Sequence, residues 1–231
     1  MKASAGSRML SYIDYAGRMR RVIYATALCV ILALPCRGSI IVNWLDTPAV
    51  LWTESGTMDV SIDLDGNGVI DFIFRAGTSI LSVQPQGINL QLIWPWGPPD
   101  AGGLVEPLLE AYELGVNSED SGLRWFGNDE FTPLGSFLWQ WEENEYVAAG
   151  RFPGHRAYVG VAFDISGATH YGWIDVWVSP DNPYGEIYGW AYDSTSGMSI
   201  QAGAIPEPST VLLLSCGTIA LALMKRRQLY R

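Results

Sequence analysis

Lysine is missing from the long middle of this sequence. Residues 39–209 contain four arginines and 23 acidic residues, so this part carries a formal charge of −19 with its histidines neutral. Most of the other basic residues lie near the two ends, and the whole chain therefore has a net charge of −10. A surface of this sign argues against nucleic acid or anionic lipid as a partner and suits cations or neutral molecules.

Cysteine and histidine are scarce as well. Cys29, Cys36 and Cys216 all lie in or beside apolar terminal segments, so the middle of the chain has no thiol and depends on its core for stability. His155 and His170 are the only histidines and have no cysteine near them. Two histidines are too few for a zinc site, so we expect them at the surface or at strand ends.

The sequence offers little for hydrolysis. No Gly-x-Ser-x-Gly nucleophile motif occurs in it. Glu142, Glu143 and Glu145 could include the carboxylate pair of a glycosidase, although a run of this kind is typical of a solvated face. We predict a protein without catalytic residues, and an envelope glycosidase is the alternative that depends on these glutamates.

Residues 1–38 are predicted to be a leader and signal peptide. Basic residues at positions 18–21 precede an apolar run at 22–34, and a short stretch with small residues follows. This order is typical of secretion signals, and cleavage after Gly38 fits it. Translation from Met19 would give a conventional start. Acylation of Cys36 is the alternative, which the preceding proline disfavours.

The last 27 residues, 205–231, combine a rigid tripeptide, an apolar segment and a basic end. Pro206, Glu207 and Pro208 predict a stiff spacer, because proline fixes its own φ and biases the preceding residue toward extended backbone. Residues 210–224 carry no charge. As a helix they would span about 22 Å at about 1.5 Å per residue, against a membrane core of about 30 Å.

The basic end of the tail predicts its orientation. Lys225, Arg226 and Arg227 follow the apolar segment directly. Such a stop places the C-terminus in the cytoplasm and the chain before Pro206 outside. The alternative is a buried helix of the globular domain, but such a helix should have a polar face, and this segment has few polar side chains.

These three parts, in this order, resemble the PEP-CTERM sorting domain of Gram-negative bacterial envelope proteins. The aromatic stretch at 170–175 and Ala202-Gly-Ala before the tripeptide also resemble a recurrent arrangement in that family. The resemblance implies processing by an exosortase, a membrane-embedded enzyme similar to cysteine proteases. It implies an inner-membrane anchor before processing, then the cell surface or the extracellular matrix, in association with exopolysaccharide or biofilm. We therefore expect a structural or adhesive matrix protein.

Residues 39–204 are predicted to form an all-β exported domain. Residues 57–64 and 69–74 alternate with period two around Asp65-Gly-Asn-Gly68, which predicts a hairpin. Residues 157–165 and 170–178 repeat this pattern around a Ser166-Gly-Ala turn, and a strand at 187–192 follows. Since several strands are apolar on both faces, we expect two layers, as in a β-sandwich or jelly-roll-like fold.

The rest of the domain is less regular. Residues 40–42 and 49–52 predict two short strands separated around Pro48. Three prolines at 94–100 argue against an interior strand there. Residues 104–114 have helical spacing interrupted by a proline, which allows at most one short helix, and 131–141 predict a strand.

One motif has the spacing of a metal site. Asp63, Asp65, Asn67 and Asp71 occupy positions 1, 3, 5 and 9 of a loop with glycine at position 6, as in the front of an EF-hand calcium loop. Calcium needs six or more hard oxygens, so close carboxylates and a sharp bend suit it. Position 12 is Phe74 where an EF-hand has glutamate, and the flanks are strands. We expect a weak structural calcium site, with a solvated acidic turn as the alternative.

Tryptophan is abundant, and some of these residues could form a platform on which sugars stack. Core filling explains many of them as well, because a large aromatic side chain at strand parity is typical of a buried position. A calcium-assisted, lectin-like carbohydrate-binding module is therefore the second hypothesis. The candidates are Trp94, Trp96, Trp125, Trp139, Trp141, Trp173, Trp177 and Trp190.

Overall fold

The computed structural model describes residues 39–95, 103–127, 132–140 and 145–206. These residues form strands and loops with one short 3₁₀ turn at Ser118–Ser121, and none of them lies in an α-helix. The all-β prediction is confirmed. The strands are β1 (Ile40–Leu51), β2 (Thr57–Ile62), β3 (Phe72–Gly77), β4 (Ile80–Pro85), β5 (Leu90–Pro95), β6 (Gly103–Val105), β7 (Glu113–Leu114), β8 (Arg124–Phe126), β9 (Thr132–Gln140), β10 (Glu145–Gly150), β11 (Arg156–Ile165), β12 (Ala168–Val178), β13 (Gly185–Asp193) and β14 (Ile200–Gln201).

Two antiparallel sheets contain most of these strands. The larger has the order β1-β13-β12-β11-β5-β6, with β8 also paired to β5. The smaller has the order β10-β9-β4-β3-β2, and β14 and β7 form a separate pair. Alternating side chains from both sheets form one buried cluster, which includes Phe72 and Phe74 of β3 and Val159 and Ile174 of the larger sheet. The apolar parity read from the sequence therefore corresponds to a shared core.

The larger sheet has a second buried cluster on its opposite face. Trp173 is fully buried there, and Leu108, Leu114 and Ile200 pack in the same cluster. Leu108 exchanges backbone hydrogen bonds with Tyr158 of β11, with N···O distances of 3.0 Å in both directions. The segment between β6 and β8 and the end of the described chain thus cover part of a face that would otherwise be exposed, which explains strands that are apolar on both sides.

The two predicted hairpins differ in their turns. β11 and β12 pair from Ile165↔Ala168 outward, and both residues between them, Ser166 and Gly167, have positive φ (56° and 86°). Such a two-residue turn matches the right-handed twist of the strands. β2 and β3 pair from Ile62↔Phe72, so a loop of nine residues, 63–71, replaces the tight turn.

The position of Ile70 was predicted wrongly as part of the second strand. It lies in the 63–71 loop and is exposed, as is Val69. The cause is the set of hydrogen bonds to the loop carboxylates described below, which hold the backbone in a compact loop and delay the strand until Phe72.

Three further expectations change in the structure. β1 is one strand, whose pairing with β13 shifts register between Trp44 and Ala49, so the proline is accommodated in an irregularity rather than a break. Pro95 closes β5 opposite Gly103, so the first part of the proline-rich stretch does belong to a strand. Residues 104–114 contain strand segments in place of a helix, since pairing with β5 and β11 satisfies their backbone. The expected strand at 131–141 is present as β9.

Several predicted segments lie outside the described residues. These are the leader and signal peptide at 1–38, Glu207 and Pro208, the apolar segment at 210–224, and Lys225, Arg226 and Arg227. Among the residues that are described, no helix has the length and apolar character needed to cross a membrane.

Candidate metal centre

The β2–β3 loop brings three of the four predicted calcium ligands together. One carboxylate oxygen each from Asp63, Asp65 and Asp71 can be chosen so that all lie within 4.8 Å of one another. Asp63 and Asp65 are half-buried and Asp71 is buried. Positions 1, 3 and 9 of the motif therefore meet although strands, rather than helices, flank the loop.

Asp63 organises the first half of the loop. Its Oδ1 accepts hydrogen bonds from the backbone N–H groups of Gly66 (2.8 Å) and Asn67 (3.2 Å), and its Oδ2 accepts one from Gly68 (2.7 Å). Gly66 and Gly68 have φ of 74° and 88°, a region that glycine enters without steric cost. The aspartate and the glycines thus wrap the backbone around one carboxylate.

Asn67 has local partners for both ends of its amide. Its Nδ2 donates to Asp65 Oδ2 at 3.0 Å, and its Oδ1 accepts from the backbone N–H of Val69 at 2.7 Å. The Asn67 oxygen still has a second lone pair for a cation, because an amide oxygen accepts twice. Phe74, at position 12 of the motif, is fully buried in the core and supplies no ligand.

Asp71 anchors the loop to the rest of the domain through two hydrogen bonds. Its Oδ2 accepts from Leu64 N–H at 2.8 Å, and its Oδ1 accepts from the Asn89 side chain at 2.9 Å. Asn89 in turn accepts from the backbone N–H of Asp164 in β11 (3.1 Å), so the contact reaches the other sheet. Burial raises the pKa of the Asp71 carboxyl, the hydrogen bonds from Leu64 and Asn89 oppose the rise, and the charges of Asp65 and Asp63 add to it.

Aromatic residues of β13 border the loop. Trp190 donates its Nε1–H to the carbonyl of Leu64 at 3.2 Å. The pKa of Tyr192 is raised, first by burial and then by the charges of Asp65, Asp63 and Asp71. The loop is therefore an electronegative site made only of oxygen ligands, which is the donor chemistry that calcium prefers.

The other candidates read from the sequence are dispersed. His170 is buried, and its Nδ1 lies 2.8 Å from the carbonyl oxygen of Asp193. It lies on β12, whereas His155 precedes β11. Glu145 starts β10, and Glu142 and Glu143 are outside the described residues, so the glycosidase pair stays a hypothesis.

The tryptophans divide between the core and the surface. Trp173 is fully buried beside Trp44 and Tyr158, whereas Trp94 is partly exposed at the end of β5. Trp125, Trp177 and Trp190 are half-buried, while nothing is described for Trp96 and Trp141 or for the side chain of Trp139. The candidates thus do not form one platform among the described residues.

Two arginines escaped the sequence reasoning. Arg151 binds Glu106 (Nε to Oε2, 2.6 Å), and Arg156 makes a two-pronged contact with Asp175 (3.1 and 2.8 Å). Both border a cleft of about 420 Å³ that His155 also lines. Their closeness in a region with only four arginines was a signal available from the sequence alone.

Comparisons of this chain with protein-family models, with curated proteins and with solved structures found no match. Function therefore has to follow from the residues and their geometry.

Proposed function

We propose that this chain is an exported, non-catalytic protein, sorted through its PEP-CTERM-like tail into the extracellular matrix, with a body of the β-sandwich or jelly-roll-like type. Its role there is structural or adhesive. The observation that carries this proposal is the order of the tail in the sequence: Pro206, Glu207 and Pro208, the uncharged segment at 210–224, then the basic cluster at 225–227.

Two properties of the described body support export. It contains no cysteine, so its folding does not depend on the redox state of the compartment. Ile205 and Pro206 lie four and five residues after the end of β14 and are exposed, Ile205 by 56%. A processing enzyme that recognises the tripeptide would therefore find its first residue accessible.

The test is mass spectrometry of the protein isolated from its native envelope. We expect a mature form that begins near Ser39 and ends within the tail. A Pro206→Ala/Pro208→Ala variant removes the stiff spacer and should retain the C-terminal segment, whereas Pro180→Ala, in the exposed β12–β13 loop, should be processed like the wild type. Finding the full-length chain soluble in the cytosol, with both ends intact, would end this proposal.

A second candidate function is calcium-assisted carbohydrate binding. The observation in its favour is the approach of the Asp63, Asp65 and Asp71 carboxylates to within 4.8 Å. Trp190 donates a hydrogen bond to the same loop, so its fluorescence reports on changes there. Its fluorescence should change on adding calcium and again on adding purified exopolysaccharide. If neither addition shifts the emission, this candidate is wrong and the matrix role without a ligand remains.

A further inference from the structure

A cleft beside the N-terminal end of β11 gathers basic groups that are rare in this protein. Its walls are Pro107, Leu109, Arg151, His155, Arg156 and Ala157. Residues 39–209 contain only four arginines and two histidines against 23 acidic residues. Two of those arginines and one of those histidines line this one open cleft.

A buried carboxylate, Asp175, and a half-buried one, Glu106, hold the two guanidinium groups in place. The Asp175 side chain is 3% exposed and the Glu106 side chain 16%, whereas those of Arg156 and Arg151 are 53% and 42% exposed. The negative partners thus lie beneath the surface and the positive groups face outward. Each arginine contacts its carboxylate through Nε and Nη2. The remaining N–H groups, on Nη1 of each arginine, therefore point away from the carboxylates.

Aromatic rings fix the orientation of the same two side chains. The guanidinium carbon of Arg156 lies 3.7 Å from the ring centroid of Tyr188, and that of Arg151 lies 4.7 Å from the ring centroid of Trp94. A ring and a carboxylate together restrict an arginine more than either contact alone. The donors are therefore organised before any ligand arrives, which lowers the entropic cost of binding.

We propose that this cleft binds the carboxylate of an acidic sugar carried on an otherwise neutral glycan. Guanidinium forks match a carboxylate geometrically, and Pro107 and Leu109 supply apolar walls for the C–H face of a sugar ring. The charge of −19 over residues 39–209 repels a densely charged polyanion. The cleft therefore favours a glycan whose carboxylates are few and widely spaced. The choice of a glycan, rather than a free acid, rests on the proposed matrix function.

The test is saturation-transfer NMR on the full chain, with EDTA present so that the β2–β3 loop cannot contribute through calcium. The probes are methyl β-glucuronide and methyl β-glucoside, which differ by the carboxylate, and propionate, which lacks the sugar. We expect the glucuronide to bind about ten-fold or more tightly than the glucoside, because the glucoside cannot form the hydrogen bonds between charged groups that a carboxylate forms with arginine. We also expect it to bind more tightly than propionate.

Variants locate the site. Arg151→Gln/Glu106→Gln removes the ion pair without leaving an unpaired carboxylate, and it should weaken glucuronide binding about ten-fold or more. If that variant does not fold, Arg151→Lys keeps the charge, loses the fork and should weaken binding to a smaller extent. The matched control is Arg75→Gln/Asp59→Asn, an exposed pair at 2.7 Å on β2 and β3, which should bind like the wild type.

Three results would overturn the inference: equal affinity for glucuronide and glucoside, propionate bound as tightly as glucuronide, or wild-type binding in the Arg151 variants. A wild-type chain that binds none of the probes also overturns it. Each of these outcomes leaves the proposed export untouched, because the processing experiment measures the chain ends. Conversely, a chain that binds the glucuronide but stays unprocessed in the cytosol contradicts the export proposal alone.

Discussion

Replacing Asp65 with asparagine should reduce the stabilisation of the chain by calcium to less than half without weakening its fold. Carboxylate oxygens of Asp63, Asp65 and Asp71 lie within 4.8 Å of one another. At that distance two unit charges repel by about 0.9 kcal/mol in water and by about 3.5 kcal/mol at an effective dielectric constant of 20. Because Asp63 and Asp65 keep part of their surface in contact with water and salt, which screen the repulsion, the lower value is the better guide.

The balance for Asp65→Asn follows from its contacts. Losing this charge relieves two repulsive pairs, about 2 kcal/mol in total. It also leaves one acceptor oxygen where Asp65 uses two, Oδ1 for the backbone N–H of Asn67 and Oδ2 for its side chain, and the lost hydrogen bond costs about 1 kcal/mol. Without calcium the variant should therefore be as stable as the wild type or up to about 1 kcal/mol more stable.

Calcium should narrow or reverse that difference. With a dissociation constant of about 10⁻⁴ to 10⁻³ M, a concentration of about 10 mM stabilises the wild type by about 1.4–2.7 kcal/mol, or about 3–11 °C in the melting temperature. The variant, which has lost a charged ligand, should gain less than half of this. The measurement is thermal unfolding followed by circular dichroism with EDTA and with calcium.

A matched control separates the loop from general charge effects. Asp181→Asn removes an exposed carboxylate in the β12–β13 loop and should retain the full response to calcium. The calcium hypothesis is wrong if the wild type shows no shift, or if Asp65→Asn shifts as far as the wild type does.

Three further predictions concern the body of the protein. Gly160→Ala should destabilise by about 1–3 kcal/mol in urea unfolding, because its Cβ would lie 2.5 Å from Leu114 Cδ2 in the second core; an unchanged midpoint would contradict the packing of that segment. Phe74→Ala should cost about 3–5 kcal/mol in the same assay, since the ring is fully buried between the sheets. Hydrogen bonding to Glu186, then burial and the Glu186 charge, raise the pKa of Tyr184 to about 12, so its contribution to stability is present below the unfolded pKa and lost as pH rises through about 12. An alkaline absorbance titration of Glu186→Gln should therefore show this tyrosine ionising at lower pH than in the wild type, and coincident curves would refute the contact. The same hydrogen bonds lower the pKa of Glu186, so acid stability, which falls in the wild type as pH drops below the unfolded value, should fall less in the variant.

The strand pattern could be predicted from the sequence where each face of a strand packs against other apolar side chains. Val159 and Ile174 alternate with residues of the second core, and their parity identified the shared core correctly. Ile70 has the same parity as Phe72, yet it is exposed in the loop. Alternation along the sequence does not reveal that the Asp71 carboxylate accepts hydrogen bonds from Leu64 and Asn89, because those partners lie up to 18 positions away.

The amino-acid sequence alone determined the all-β class, the acidic and thiol-free body, and a loop with metal-ligand spacing, because composition, two-residue alternation and short motifs are local properties. Only the tertiary structure decided that Asp71 joins Asp63 and Asp65 across the loop, and that Arg151 and Arg156 meet at one cleft, paired with Glu106 and Asp175. The physical reason is distance along the chain. Glu106 and Arg151 are 45 residues apart, and only the packing of the sheets and their connecting segments brings such residues into contact.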